Sequence, residues 1–410
     1  MSTRDNLPQW LSEQTLATLQ GHQSVNPDEL AYFAYDLDKL SEHLKALQDQ
    51  DVIKLWYAVK ANPLSSILKT LDKQGFNFDV ASVGELSHVL EQEVPASRIL
   101  NTGPAKSRQQ LTEFIQKGVN TFVVESLNQI HLLNEVASQL NAKPDVLLRV
   151  QLQWPEGEKN PLGGNSLTPF GLSTEDWLAL DLAELNDINV IGLHIFQWGN
   201  MLSNAKMFDL WSQMVAPLVQ LAGQLGFELK VLDLGGGLGV DYLESGEGLD
   251  WQKTIADLAK IKAEAGVEEL WLELGRFAVA ECGYYVTSVV DKKSNFGTEQ
   301  LVLAAGINHI IRPAITAQPF PTRMLRESGE TEVDHRVHGP LCTSLDDLGT
   351  LSLPEDIEVE DKLVFGLTGA YGFTESMPFF LCHQVAAEYV IESGKMIEIR
   401  AAQPASWYLK

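Results

Sequence analysis

Residues 52–91 read VIKLWYAVKANPLSSILKTLDKQGFNFDVASVGELSHVLE. The apolar, aromatic-rich opening at 52–61 has the composition of a buried strand and is stopped by Asn62-Pro63. A stretch of helical periodicity follows at 65–73, then a second strand-like run at 78–82 and a second helical one at 83–91. The alternation continues outward, with strand candidates at 98–102, 121–125, 146–150, 190–196, 230–234 and 269–274. Each of the first seven runs is followed by a helix-like stretch, such as 107–117, 205–225 and 251–265. Eight such units over roughly 225 residues predict a (β/α)8 TIM barrel, whose chemistry sits on loops at the carboxyl ends of its strands. An open doubly wound sheet is the rival. It needs fewer units and carries its glycine-rich loop after the first strand, whereas LDLGGGLG at 232–239 follows the seventh.

Beyond Gly283 the texture changes. Runs at 284–291, 300–305, 333–337, 362–365 and 388–399 read as strands with little helix between them. The run at 31–35 precedes the first helical stretch and is placed to pair with them. The expected division is a barrel at 37–280 and a β-rich domain made of 1–36 and 281–410. The segment 155–172, rich in Gly, Pro, Asn and Ser, follows the fifth strand, where a lid over the barrel mouth is expected.

Composition narrows the partners. The 410 residues are 45% hydrophobic and 21% charged, as in globular proteins, and no run is apolar and long enough to span a bilayer. Thirty Lys+Arg against 55 Asp+Glu give a net charge of −25, which repels phosphate backbones and anionic surfaces, so neither nucleic acid nor membrane is an expected partner. Cys282, Cys342 and Cys382 are too few and too widely spaced for a disulfide framework or a zinc site, and no metal is expected. With no secretory pattern in MSTRDNLPQW, the expected location is the cytoplasm.

Four groups of residues are candidates for chemistry. Lys60 closes the first strand in WYAVKANP, at the barrel mouth; it is either a solvated strand-end lysine or, if desolvated, an amine of lowered pKa fit to form a Schiff base. Gly235, Gly236 and Gly237 let backbone N–H groups approach an anion after strand seven, and equally suit a tight turn. Glu273 and Arg276 end the eighth strand, as an ion pair or as a carboxylate for a cofactor ring nitrogen beside an anion clamp. Cys342, in HGPLCTSLDDL, is by default a buried inert cysteine.

Taken in order, YAVKANP, FDVASVGEL, GGGLG, ELGR, NHIIRPA, GPLCTSLD and GAYGF resemble the fold-type III, pyridoxal-phosphate-dependent amino acid decarboxylases, which include diaminopimelate, ornithine and lysine decarboxylases. The resemblance runs from about residue 31 to 389 and implies an alanine-racemase-like C-terminal domain. It implies that Lys60 carries the cofactor, that Asp79, Gly275 and the glycine triplet lie around it, and that Glu273 keeps the pyridine nitrogen protonated. Arg276 then sits beside phosphate and substrate, Tyr371 helps hold the cofactor, and Cys342 donates a proton in the partner's site of a homodimer. The resemblance also implies a small-molecule amino acid substrate.

Departures from the family pattern bear on that substrate. Thr343 stands where diaminopimelate enzymes have Glu and ornithine enzymes Asp, which removes the anchor for a distal ammonium. Thr316 replaces a tyrosine four residues after Arg312, itself retained as a carboxylate clamp. Where a histidine usually stacks on the pyridine ring the chain has Phe196, with His194 two residues earlier, and either ring is a candidate. Pro169 replaces the usual lysine before Phe170-Gly171, and no role is carried onto it. These features resemble the branch of carboxylate-siderophore biosynthesis that decarboxylates a citryl-diamino acid, with Arg312, Thr316, Thr343, Lys106 and His335 as candidate carboxylate contacts. The alternatives are a decarboxylase of a free diamino acid with Asp346 or Glu375 as anchor, an amino acid racemase, which would need a tyrosine where Cys342 stands, and a non-catalytic pyridoxal-phosphate-binding protein.

Overall fold

The computed structural model describes residues 7–154 and 167–409. Of the expected lid, 155–166 lie outside the described residues. The chain divides into two compact units: Leu44–Gly239 with Glu247–Phe277, and the residues up to His43 with Val240–Gly246 and those from Ala278 onward.

In chain order the strands are β1 (Ala31–Asp36), β2 (Lys54–Ala58), β3 (Asn77–Val80), β4 (Ile99–Asn101), β5 (Thr121–Val124), β6 (Asp145–Arg149), β7 (Asn189–His194), β8 (Val231–Asp233) and β9 (Glu269–Leu274). Strands β2 to β9 are parallel to their neighbours, and β9 pairs back onto β2 with Tyr57 opposite Leu274. This is the expected closed eight-stranded barrel. Its inside is filled by Trp56, Leu100, Val123, Leu147, Val231 and Trp271, with the two indole rings 4.9 Å apart. Solid packing below leaves the carboxyl ends of the strands as the place where polar groups gather.

Local sequence explains the helices. Those at Ser65–Lys73, Val83–Glu91 and Trp251–Ala265 fall where periodicity put them. Ser82, Ser107, Ser126, Ser203 and Asp250 each accept an N–H bond from the third residue onward, satisfying a donor the helix start leaves unpaired. Among the described residues after β6, the expected helix is met by the single turn Thr174–Trp177.

The second unit holds a mixed sheet ordered β14-β13-β11-β10-β1-β17-β18, built on β10 (Gly283–Asn295), β11 (Thr298–Leu303), β13 (Glu332–His338), β14 (Asp347–Pro354), β17 (Ala387–Glu392) and β18 (Lys395–Arg400), with β12 (Thr322–Met324) and β15 (Lys362–Phe365) joined through β10, and a separate pair of β16 (Gln384–Val385) and β19 (Gln403–Pro404). β1 lies between β10 and β17, antiparallel to the first and parallel to the second, so the early run does join the late strands. The run 388–399 is corrected to a hairpin. Ser393 and Gly394, at φ 50° and 70°, form a two-residue turn whose left-handed backbone suits the twist of the two strands. β14 carries Gly349 and ends at Pro354, weak strand formers that hid it in the sequence. No helix among the described residues is long and apolar enough to cross a membrane.

Candidate active site

The carboxyl ends of the barrel strands carry a ring of ionisable side chains. Lys60 sits on a single 3-10 turn, Val59–Ala61, after β2 has ended at Ala58, and its side chain is 48% exposed. The strand stops two residues short of Lys60, and the exposure agrees with the solvated strand-end lysine, one of the two readings the sequence left open. Its Nζ lies 3.9 Å from Asp79 Oδ2. Asp79, the third residue of β3, is 2% exposed and its other oxygen accepts a 2.6 Å bond from the Thr102 hydroxyl. Burial, reinforced by the nearby Glu273 charge, pushes its carboxyl up to about 7.

Glu273 in β9 faces His194, the last residue of β7, with Oε1 3.2 Å from Nε2. The two are close enough to pair as ions, although the approach is off the axis of a hydrogen bond. Burial opposes the charge on Glu273, but His194, Lys60 and Arg149 outweigh it and hold the carboxyl at about 2. Asp233, which closes β8, accepts 2.8 Å from the Gly235 N–H through one oxygen, and its other oxygen is buried without a hydrogen bond. Burial and the Glu273 charge push it well above the carboxylate range.

The glycines are first of all required by close packing. A Cβ on Gly235 would lie 2.6 Å from the Phe196 Cβ, one on Gly236 2.1 Å from the Glu273 carbonyl oxygen, and one on Gly237 2.5 Å from the Trp198 carbonyl. The tight turn and the anion-binding loop are therefore compatible, since the packing that excludes side chains leaves the backbone bare. Among the described residues neither the Gly236 nor the Gly237 N–H has a hydrogen-bond acceptor. Gly275 follows β9, and Arg276, half-buried, opens the short helix Arg276–Val279.

His194 and Phe196 part company. β7 stops at His194, whose ring is 1% exposed against Glu273, while Phe196 lies beyond the strand, half-buried. Sequence reasoning missed Arg149 and Glu125, a buried ion pair at 3.1 Å, with the guanidinium 4.5 Å from the Phe170 ring centroid and the Gly171 N–H donating to Glu125. Asp233, Thr102, Arg149 and Glu125 all stand at or just after the end of a barrel strand. That position was the available signal. Lys106 is buried, donates 2.6 Å to the Gly103 carbonyl and is pushed down to about 8 by that burial, against the opposing pull of Glu125 and Asp79.

The β-rich unit carries the other candidates. Cys342 is exposed, which corrects the default of a buried inert thiol. Thr343 is half-buried in a turn, its Oγ1 accepting the Leu345 N–H. Arg312 is buried, its Nη2 2.9 Å from Gln318 Oε1 and its guanidinium 4.0 Å from the Tyr242 ring centroid. Thr316 is exposed and its hydroxyl bonds the Arg312 carbonyl. Tyr371 is half-buried at φ 55°, a left-handed backbone unusual for tyrosine. Asp346, offered as an amine anchor, is instead 3% exposed and accepts the N–H groups of Ile307 and Leu341, with its oxygens packed where Gly306 and Gly339 leave room. His335 is also corrected: it is buried, with Nδ1 bonding the Val333 carbonyl.

Residues 37–280 match the family described as pyridoxal-dependent decarboxylase, pyridoxal binding domain. The chain belongs to this family. A 2-[(L-alanin-3-ylcarbamoyl)methyl]-2-hydroxybutanedioate decarboxylase of Staphylococcus aureus is 29% identical over 370 residues, covering 86% of this chain and 92% of that one. A diaminopimelate decarboxylase of Pseudomonas aeruginosa is 30% identical over 356 residues, covering 84% and 82%. The diaminopimelate decarboxylase of Helicobacter pylori, solved with L-lysine, shares the fold at a TM-score of 0.83, with 24% identity over 93% of this chain and 96% of that one. This pyridoxal-dependent decarboxylase has residues that fit its cofactor. A lysine amine, two glycine N–H groups without an acceptor and the buried Glu273 Oε1 with no hydrogen bond match an aldehyde, a phosphate and a ring nitrogen.

Proposed function

We propose that the enzyme decarboxylates an amino acid whose side-chain nitrogen is already acylated by a carboxylate-bearing group, of the citryl-diamino acid type. The observation that carries this reading is the environment of Asp346. The acid nearest to Cys342 in sequence is buried and tied to two backbone N–H groups, and Thr343 directly after the cysteine is neutral. Neither Asp346 nor Thr343 offers a distal ammonium a charge partner, whereas an amide nitrogen needs none; Glu375, exposed, is the anchor left to the free diamino acid reading. The substrate that names the Staphylococcus aureus relative, a hydroxybutanedioate joined through a carbamoyl group to carbon 3 of alanine, has such a nitrogen. Its carboxylates suit Arg312, with Thr316 and Thr343 as hydroxyl donors.

When bound, pyridoxal phosphate supplies an electron sink for the pair of electrons left when CO₂ departs. Around it Lys60 would hold the aldehyde carbon covalently and the glycine triplet, with Arg276, the phosphate. Glu273 would face the ring nitrogen as an anion and hold a proton there. Phe196, beyond the end of β7, is the ring we assign to stacking, since His194 is occupied by Glu273. Tyr371 would steady the cofactor and Cys342 would deliver a proton to Cα, completing the site across a homodimer.

The free diamino acid reading makes the opposite prediction. Assayed by CO₂ release, the citryl conjugate of diaminopropionate is expected to turn over at least about 10²-fold faster, as kcat/KM, than diaminopimelate, lysine or ornithine, the range set by one unpaired buried group. Equal turnover of a free diamino acid would end the proposal. Deuterated water separates a racemase, which would return labelled amino acid without CO₂.

A further inference from the structure

Three carboxylates, from Asp79, Asp233 and Glu273, are buried at the barrel mouth, where burial and mutual repulsion disfavour ionising all three. Their surroundings differ. Asp79 faces Lys60 Nζ at 3.9 Å and the Thr102 hydroxyl at 2.6 Å, and Asp233 accepts one backbone N–H. Only Glu273 has an imidazole, with His194 Nε2 3.2 Å from its Oε1. One ring nitrogen of His194 and one carboxylate oxygen each of Asp233 and Glu273 lie within 4.8 Å of one another. In the strand ladder His194 stands between Arg149 on β6 and Asp233 on β8, so its ring is fixed by strand register and not by a loop.

We propose that His194 is a positioning residue that selects Glu273, out of the three buried acids, as the one that stays ionised. The inference rests on the reading of Glu273 as partner of the cofactor ring nitrogen. It adds that the anion is secured by a second side chain, an imidazole whose Nε2 would carry a proton within ion-pair distance of the carboxylate. The groups facing the pair are Asp233, Arg149, Lys60 and Asp79. The two cations favour the Glu273 anion. The two acids compete for the same negative charge and are left protonated more readily.

The test uses the full chain with carboxyl-labelled glutamate, titrated by carbon NMR with and without pyridoxal phosphate, the Glu273 signal being assigned by its loss in Glu273→Gln. In the wild type the signal is expected to remain that of a carboxylate down to the acid limit of folding. In His194→Phe, which keeps a ring without a donor, its midpoint should rise by more than about one unit, a tenfold change in proton affinity. His194→Gln, which keeps a neutral donor near Nε2, should give a smaller rise. A midpoint unchanged in both variants overturns the proposal. Should the variants fail to fold, long-range proton–nitrogen spectra of the wild type decide it: a proton on His194 Nε2 supports the assignment and a bare Nε2 refutes it. Borohydride trapping at Lys60, done in parallel, tests the cofactor reading alone, so the two failures are distinguishable.

Discussion

At the residue scale, desolvation and pairing divide the work among the acids of the barrel mouth. Asp79 is held up to about 7 against an ordinary 3.8, so in this range the folded chain binds a proton the unfolded chain has released. A raised carboxyl contributes stability that is complete below about pH 4 and is lost as pH rises through 7. Urea titrations of the full chain without cofactor should therefore show stability falling from pH 4 to 7, and Asp79→Asn, which keeps the acceptor for Thr102, should reduce that slope. An identical slope in the variant would show that Asp79 is ionised throughout. The strand-end position of Lys60, Glu273 and the glycines was readable from hydrophobic runs and breakers. Arg149, Glu125 and Asp233 occupy equivalent positions and were passed over, because a strand-end charge looks the same whether it is solvated or buried until the barrel closes around it.

At the scale of elements, the loop after β8 joins packing to chemistry. Gly236 lies where a Cβ would meet the Glu273 carbonyl at 2.1 Å, a backbone atom that cannot swing aside. Gly236→Ala should therefore cost about 1–3 kcal/mol, the usual penalty for overpacking, and should weaken cofactor binding because Glu273 itself is displaced. Thermal unfolding and cofactor titration measure the two effects, and a variant with unchanged melting temperature and affinity would contradict this account. Helix and strand positions in the barrel were legible because each element obeys one period and ends on a Ser or Asp cap, a glycine or a proline. The β-rich unit was less so. β14 was missed and β17–β18 fused, since short antiparallel strands joined by a two-residue turn read as one continuous run.

At the scale of the molecule, the proposed homodimer makes a quantitative statement. If Lys60 and Cys342 serve one site from different subunits, Lys60→Ala is inactive and Cys342→Ala, which still releases CO₂, fails to form the protonated amine product, yet mixed protomers regain one intact amine-forming site. Half of a random mixture is such hybrids with one of two sites restored, so about a quarter of wild-type activity should return. No recovery after verified subunit exchange would place both residues in the same protomer. The long separation between β1 and the strands it joins shows why the division of the chain needs three dimensions: Phe33 pairs with Tyr285 and with Glu388 across hundreds of residues.

The sequence by itself determined the barrel, the order of its strands and the residues at their carboxyl ends, because these follow from local periodicity and from steric breakers acting over a few residues. The tertiary structure decided which of those residues are buried together, that His194 turns to Glu273, that Asp346 is a buried staple and that Cys342 is exposed. These depend on burial and on fields from groups distant in sequence, which exist only once the strands have closed and water has been excluded.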